Sequence, residues 1–431
     1  MDTLSQLRAG KLAGVRRLDL CDGLTEFPRE IFDLADSLEI LNLSGNRLSS
    51  LPDDLPRLAR LRILFCSQNE FRHVPPVLGE CGNLSMLAFK SNAIESVAEG
   101  ALPPSLRWLI LTDNRIPRLP ASIGNCRPLQ KLMLAGNRLE ALPDEMAACE
   151  NLELIRLAAN RFRSLPGWLW KLPRLSWFAF AGNPVAGRSR DAGGETIDWH
   201  ELELEGKLGE GASGVIHGAR WRQQPVAVKL FKGAMTSDGL PECEMDACLA
   251  AGSHLNLIRV LGRITGHPGS AAGLVMTRID GGFTSLAEPP SFETCTRDVY
   301  SEGMQLSPER LLRMARGLAS AAAELHAKGI MHGDLYGHNV LWHPEGDCLL
   351  GDFGAATFHP ENGAIPAGAL EQLEVRAFGC LLEELADRCS GAVPAGLRRL
   401  QVQCLAASPA ERPRFAEILA QLQTSNNDVT D

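Results

Sequence analysis

The sequence predicts two architectures in one 431-residue chain: an α/β solenoid of short parallel strands, then a domain of mixed strands and helices. Three observations carry this. A nine-residue LxxLxLxxN pattern recurs from Val15 to Leu175. The period vanishes near Ile197, where a pattern of strand, glycine loop, strand and helix begins. Finally, Asp334 is followed by Asn339 and then by Asp352-Phe353-Gly354, a spacing that points to chemistry on phosphate. The expected divisions are residues 1–184 for the solenoid, 185–196 for a linker, 197–423 for the second domain and 424–431 for a polar, disordered tail.

The repeats open at Val15, Leu38, Leu61, Leu84, Leu106, Leu129, Leu152 and Leu175, with a period of 23 broken once to 22. Leu129-Gln130-Lys131-Leu132-Met133-Leu134-Ala135-Gly136-Asn137 is typical. Its apolar positions predict a short strand whose inward side chains stack between repeats, and the asparagine suits backbone groups at the turn. A Leu-Pro pair or a relative follows in most repeats, as at Leu142-Pro143. Gly23 replaces the first asparagine, and Val97-Ala98 the proline pair of the fourth repeat.

Residues on either side of the fourth pattern position should face outward from the concave sheet. Here they form an apolar strip: Ile40, Ile63, Phe65, Met86, Trp108, Ile110, Met133, Leu154 and Trp177. Such a strip predicts a protein partner on that face, with packing against the second domain as the alternative. Trp168, Trp170, Trp177 and Trp199 crowd the end of the repeats. They are expected to cap the open solenoid or to form a fixed interface there.

In the second domain, Leu208-Gly209-Glu210-Gly211-Ala212-Ser213-Gly214-Val215 places glycines where backbone amides can approach phosphate closely. Val226-Ala227-Val228-Lys229 follows on the next expected strand, and Glu242 and Glu244 lie on the expected helix after it. Counting back from His254-Leu255-Asn256-Leu257 favours Glu244 as the carboxylate that holds Lys229.

Composition narrows the function. A formal charge of −9 argues against a nucleic-acid surface, which needs clustered Lys and Arg. The twelve cysteines contain no CxxC pair, so buried free thiols in a reducing compartment are expected rather than a zinc site or a disulfide framework. The first residues lack a secretory signal, and no stretch of about 20 apolar residues could span a bilayer. A cytoplasmic location and no membrane span are therefore expected.

Gly209 to Val215, Lys229, His332 to Asn339, Asp352 to Gly354, and Ser408-Pro409-Ala410-Glu411-Arg412-Pro413 together make residues 200–422 resemble a protein kinase domain. The whole chain resembles the soluble leucine-rich repeat protein kinases: an α/β leucine-rich repeat solenoid followed by an α+β two-lobed protein-kinase-like domain. That resemblance implies ATP- and Mg²⁺-dependent phosphorylation of Ser/Thr hydroxyls on a protein, with ATP between the lobes. It implies Asp334 as catalytic base, Lys229 and Glu244 as the phosphate-anchoring pair, and Asn339 and Asp352 as Mg²⁺ ligands. Nucleotide contacts are implied for Gly209, Gly211, Gly214, Val215, Ala227, Lys229, Met276 and Leu341. His332 reads as a support for the loop.

Three departures qualify the resemblance. Gly333 stands where an arginine normally reads a phosphorylated activation segment, so control by that route is not expected. Tyr336 replaces the lysine of Ser/Thr kinases and His338 occupies the position of the tyrosine-kinase arginine, leaving the γ-phosphate one positive charge short. The segment from Gly354 to Glu374, which aligns with the usual aspartate before Phe378-Gly379, is short and lacks Ala-Pro-Glu; Arg412 then has Glu371 or Glu361 as candidate partners. Thr357 is the only hydroxyl between Gly354 and Glu374. The connection from Asp280 to Leu306, after the hinge at Met276, reads as a solvated loop or a substrate or regulatory element. A nucleotide-binding pseudokinase scaffold and a small-molecule phosphotransferase stay open as alternatives.

Overall fold

The computed structural model describes residues 2–188, 194–211, 213–233, 235–236, 238–279, 281–361 and 363–424. The middle of the expected linker and the tail beyond Thr424 lie outside the described residues. The chain forms two compact units, Met1–Leu172 and Pro173–Asp431.

The first unit opens with α1 (Thr3–Arg8), whose N-cap Asp2 accepts a 2.7 Å hydrogen bond from Ser5 N–H. Seven strands follow: β1 (Arg17–Asp19), β2 (Ile40–Asn42), β3 (Ile63–Phe65), β4 (Met86–Ala88), β5 (Trp108–Ile110), β6 (Lys131–Met133) and β7 (Leu154–Arg156). They pair in parallel, so that Leu18, Leu41, Leu64, Leu87, Leu109, Leu132 and Ile155 form one buried row. Burying each such side chain stabilises the solenoid by about 1.5–3 kcal/mol. Prolines 28, 75, 120, 143 and 166 precede the short 3₁₀ turns on the return side, where their fixed φ suits the entry.

The asparagines tie neighbouring repeats. Asn137 Nδ2 donates to the carbonyls of Leu111 at 2.9 Å and Leu134 at 3.0 Å, while its Oδ1 accepts from Ile116 N–H at 3.0 Å. None of the cysteines forms a disulfide, and nine of them are buried. Burial pushes the Cys149 thiol up to about 11.

No residue of the apolar strip is fully exposed. Ile63, Met86 and Leu154 are buried, whereas Ile40, Phe65, Trp108, Ile110 and Met133 are half-buried. Lys131 Nζ lies 4.1 Å from the Trp108 ring centroid, a cation–π contact that covers one face of the ring.

The second unit contains the strand of the eighth repeat, β8 (Trp177–Ala179). By contacts this strand groups with the residues after it: Trp177 Nε1–H donates to the Leu335 carbonyl and Phe180 N–H to Thr357 Oγ1. After it come β9 (Glu195–Asp198), β10 (Leu202–Glu210), β11 (Gly214–Trp221), β12 (Gln224–Phe231), α2 (Pro241–Ala251), β13 (Val260–Thr265) and β14 (Gly273–Thr277). The strands form one sheet in the order β10-β11-β12-β14-β13-β9, antiparallel except for β9 against β13. Ile197, Leu202, Trp221, Val226, Val228, Ile264 and Val275 make its core.

The four tryptophans do not act together as a cap. Trp199 packs on the core of this sheet and edge-on to His267, because β9 is recruited as its sixth strand. Trp177 instead stacks on Tyr336.

The second lobe is mainly helical. It comprises β15 (Thr284–Ser285), α3 (Pro308–Ala327), β16 (Ile330–Met331), β17 (Val340–Trp342), β18 (Cys348–Leu350), β19 (Thr357–Phe358), α4 (Ala369–Ala386), α5 (Ala395–Cys404) and α6 (Phe415–Thr424). Ser307 caps α3 by accepting from Arg310 N–H at 3.4 Å. β17 and β18 form a hairpin flanked by β15, and β16 pairs with β19. His332 to Asn339 therefore bridge β16 and β17, and Asp352 follows β18.

The connection ending at Leu306 is not a solvated loop. Cys295, Thr296, Asp298, Tyr300, Met304 and Leu306 are buried, and Glu288 pairs with Val299. Arg297 bonds Glu383 and Glu384 of α4, and Tyr300 Oη donates to Glu384 at 2.9 Å.

Candidate active site

Lys229 lies on β12, between Ile216 of β11 and Leu274 of β14 in register. Its ammonium pairs with Oε1 of Glu244 on α2, and both side chains are buried. Glu242, two residues earlier on the helix, is exposed and points elsewhere. Burial opposes the charge on Lys229, but the Glu244 and Asp352 carboxylates outweigh it and hold its pKa above the usual lysine value. Burial raises the Glu244 carboxyl despite the lysine, with Asp352 adding to the shift. Glu244 Oε2 is buried without a hydrogen-bond partner among the described residues.

The glycine loop is a hairpin between β10 and β11. Glu210 opposes Val215, and Gly211 N–H donates to the Gly214 carbonyl at 2.9 Å. Glu210 pairs with Lys207 and Lys232, which hold its carboxyl down at about 2. At Gly214 a Cβ would come 2.5 Å from the Leu230 carbonyl oxygen, so the close crossing of β11 over β12 requires glycine. Ala227 is buried opposite Met276 in register, and Leu341 sits half-buried on β17.

In the second lobe, Asn339 Nδ2 donates to the Asp334 carbonyl at 2.9 Å and to Asp334 Oδ2 at 2.8 Å. These bonds use the amide nitrogen and leave Oδ1 able to ligate a cation. Asp352 has φ +50 and is exposed; its Oδ1 accepts from Gly354 N–H at 3.2 Å. Two hard oxygen donors with no nitrogen or sulfur ligand suit a small divalent cation completed by phosphate and water. His332 is wholly buried: its Nδ1 accepts from Asp334 N–H at 3.3 Å, its Nε2 donates to the Gly351 carbonyl at 2.9 Å, and its ring tilts against Phe353. It joins the two aspartate-bearing loops.

Glu374, named in the sequence only by its place before Phe378-Gly379, anchors the loop that carries Asp334. Its carboxylate accepts from Gly333 N–H at 2.7 Å and His332 N–H at 3.2 Å, and it meets His326 Nε2 at 2.8 Å. Burial pushes its carboxyl up, but the neighbouring His326 and His332 and the Gly333 amide outweigh this and hold it below the usual value.

Asp298 was not singled out by any motif. Its Oδ2 accepts from His338 N–H at 2.9 Å and its Oδ1 bonds His338 Nδ1 at 2.7 Å. Burial opposes the imidazolium, yet the Asp298 bond and the Asp334, Asp298 and Asp352 charges raise the His338 pKa. The imidazole of His338, two residues on from Tyr336, is thus held in place by Asp298. The only sequence signal of Asp298 was the polar run around Arg297 in an otherwise unpatterned connection.

Two expectations need correction. Arg412 pairs with neither Glu371 nor Glu361. Its guanidinium donates to the carbonyls of Ala406, Gln372 and Pro173, while Glu371 accepts from Phe415 N–H, and burial pulls Arg412 down to about 10. Trp177 is no part of a partner surface: it is 1% exposed and stacks on Tyr336. Thr357 is also wholly buried, its hydroxyl donating to the Ala355 carbonyl at 3.3 Å.

With this geometry in view, similarity to known proteins is informative. Residues 202–376 match the family model for protein tyrosine and serine/threonine kinases. Residues 37–58 and 127–185 match leucine-rich repeat models. The second unit therefore carries a protein kinase domain. Ahead of it the chain carries leucine-rich repeats.

Among similar proteins, one named as a cyclin-dependent kinase F-2 of Oryza sativa subsp. japonica is 33% identical over 159 residues, covering 35% of this chain and 46% of that protein. The serine/threonine-protein kinase mos of Xenopus laevis is 29% identical, covering 37% and 43%. The tyrosine-protein kinase abl-1 of Caenorhabditis elegans is 28% identical, covering 54% and 22%. The chain spans less than half the length of these relatives. Among the described residues, no helix is long and apolar enough to cross a membrane.

Proposed function

We propose that the protein transfers the γ-phosphoryl group of ATP, with Mg²⁺, to Ser/Thr hydroxyls of a protein. The observation that carries this reading is the joint presence of the Lys229–Glu244 ion pair and of Asp334 held by Asn339 beside Asp352. Lys229, kept cationic by two carboxylates, is suited to the α and β phosphates. The glycine hairpin offers amides to the same phosphates, and Ala227, Met276 and Leu341 would line the adenine slot. Asn339 Oδ1 and the Asp352 carboxylate would hold the divalent ion, which when bound neutralises phosphate charge. Asp334, fixed by Asn339 and by its own amide to His332, is placed to accept the proton of the incoming hydroxyl. Positioning and charge stabilisation of this kind supply most of the rate in phosphoryl transfer.

The name of the mos relative favours Ser/Thr acceptors, and the buried free thiols favour the cytoplasm. The repeats are read as a surface for a protein partner. Phe65, Trp108, Ile110 and Met133 carry that reading, with Ile63 supporting them from within the sheet. Trp108→Ala should weaken capture of a partner and leave ATP turnover unchanged.

Purified protein and Asp334→Asn, given γ-labelled ATP, Mg²⁺ and either protein or metabolite acceptors, test the activity. Label on protein that disappears in the variant, with phosphoserine or phosphothreonine on hydrolysis, is expected. Label on metabolites alone would favour a small-molecule phosphotransferase. ATP binding without transfer in either protein would favour a pseudokinase scaffold.

A further inference from the structure

Trp177 follows the repeat pattern in sequence yet belongs to the catalytic loop by contact. Its ring lies on that of Tyr336, with centroids 4.1 Å apart and planes inclined by 7°. Its Nε1–H donates to the Leu335 carbonyl at 3.1 Å, so both residues that follow Asp334 are held. The next residue, Phe178, presents its carbonyl to Gly333, where a Cβ would lie 2.5 Å from the oxygen. Phe180 N–H donates to Thr357 Oγ1 at 3.3 Å, and Gly187 N–H to the Phe358 carbonyl at 3.1 Å. One strand and the turn after it therefore grip the peptide around Asp334 and the segment after Asp352-Phe353-Gly354.

We propose that Trp177 is a positioning residue for phosphoryl transfer: the last repeat, rather than a phosphorylated activation segment, holds the catalytic loop in its working geometry. This rests on the kinase reading above. The usual means of ordering the segment are missing. Position 333 is glycine, the one hydroxyl of residues 355–373 is buried, and among the described residues Arg412 meets no carboxylate. Instead, Arg412 Nη2 donates to the Pro173 carbonyl at 2.8 Å, tying the late Arg-Pro motif to the start of the same repeat. A loop with glycines at 333 and 337 carries a large conformational entropy unless it is pinned, and a parallel aromatic stack with an indole hydrogen bond pins it.

Full-length native protein, Trp177→Phe and Trp177→Ala should be compared for kcat and for the KM of ATP, using dephosphorylated casein as acceptor. Amide exchange over residues 331–340 and 355–359 is followed in parallel. Trp177→Ala is expected to lower kcat on the order of 10²-fold, the loss that a displaced reacting group incurs, without moving the KM of ATP. Lys229 and the glycine hairpin, which bind the nucleotide, lie on other elements. Trp177→Phe keeps a ring on Tyr336 and should recover most of the lost kcat. Exchange should quicken in those two segments of the Ala variant and stay native over β10 to β12. Native kcat and native exchange in Trp177→Ala would overturn the proposal. So would a loss of kcat accompanied by faster exchange throughout the domain, which would mark a general folding role. If the native protein transfers no phosphate, the kinase reading fails, and the exchange comparison still decides whether Trp177 holds the loop.

Discussion

Replacing Glu374 by glutamine removes a charge and little volume, so its effect can be worked from the hydrogen bonds alone. The carboxylate accepts from two donors, Gly333 N–H at 2.7 Å on one oxygen and His332 N–H at 3.2 Å on the other, and His326 Nε2 lies 2.8 Å from the second oxygen without hydrogen-bond geometry. An amide has one acceptor oxygen, so its NH₂ must face one of those donors. One charge-assisted bond, about 1.5–3 kcal/mol, is lost, and a buried donor is left unmade at about 1–3 kcal/mol. A net loss of about 3 kcal/mol corresponds to roughly a 150-fold rise in local opening. Amide exchange over residues 331–340 measures it, and kcat should fall with it because the strain is felt at the peptide before Asp334.

The pH dependence has a definite sign. The folded carboxyl lies below its ordinary value, so its contribution is fully present above about pH 4.3 and is lost as pH falls through the folded pKa. Loop protection in the native protein, corrected for intrinsic exchange, should therefore drop in acid, and Glu374→Gln should lack that drop. Exchange within about threefold of native, with kcat intact, would refute the anchoring role.

Three further outcomes follow from single sites. Asn137→Ala removes three buried hydrogen bonds between repeats and should cost about 2–4 kcal/mol, read as a lowered urea midpoint of the repeat transition. After incubation with ATP, mass spectrometry should find no phosphate on Thr357, since its hydroxyl is buried and hydrogen-bonded. Asp298→Ala leaves His338 without the acceptor of its amide and ring, and should speed exchange at residues 336–339 by about tenfold or more while leaving the Lys229 side of the cleft unaltered.

What could be read from sequence was whatever lies within one peptide or one period. The repeat register was legible because Leu41, Leu64 and Leu87 must recur at fixed spacing to stack. Asp334, Asn339 and Asp352 stood out because short intervals separate them, and Lys229 because it follows the glycine segment closely. The Asp298–His338 pair was not, since 40 residues of unpatterned chain separate its members and burial of that connection left no periodic mark. Trp177 misled for a different reason. The LxxLxLxxN pattern fixes a strand and its inward face, but it says nothing about what covers the opposite face, and for the last repeat that is Tyr336. Arg412 likewise found carbonyls where a carboxylate was sought, because backbone acceptors carry no residue code.

Gly333 links the two largest departures from the kinase pattern. Its φ of +75 already disfavours any side chain, and a Cβ would come 2.5 Å from Phe178 O and 2.8 Å from Ala355 O. An arginine at this position and the last repeat at its observed place are therefore incompatible. The glycine at 333 and the buried start of the short segment, Ala355 to Thr357, both meet the strand that carries Trp177. Gly333→Ala tests this. Left-handed backbone costs about 1–2 kcal/mol with a Cβ, and relief requires moving either Phe178 or Ala355. Because Glu374 holds the Gly333 amide from the other side, the repeat strand should yield first. Exchange at residues 176–181 should rise before that at 331–335, and indole fluorescence from Trp177 should shift as the stack opens. Loosening of 331–335 with an undisturbed Trp177 would show that the loop, and not the repeat, is the weaker partner.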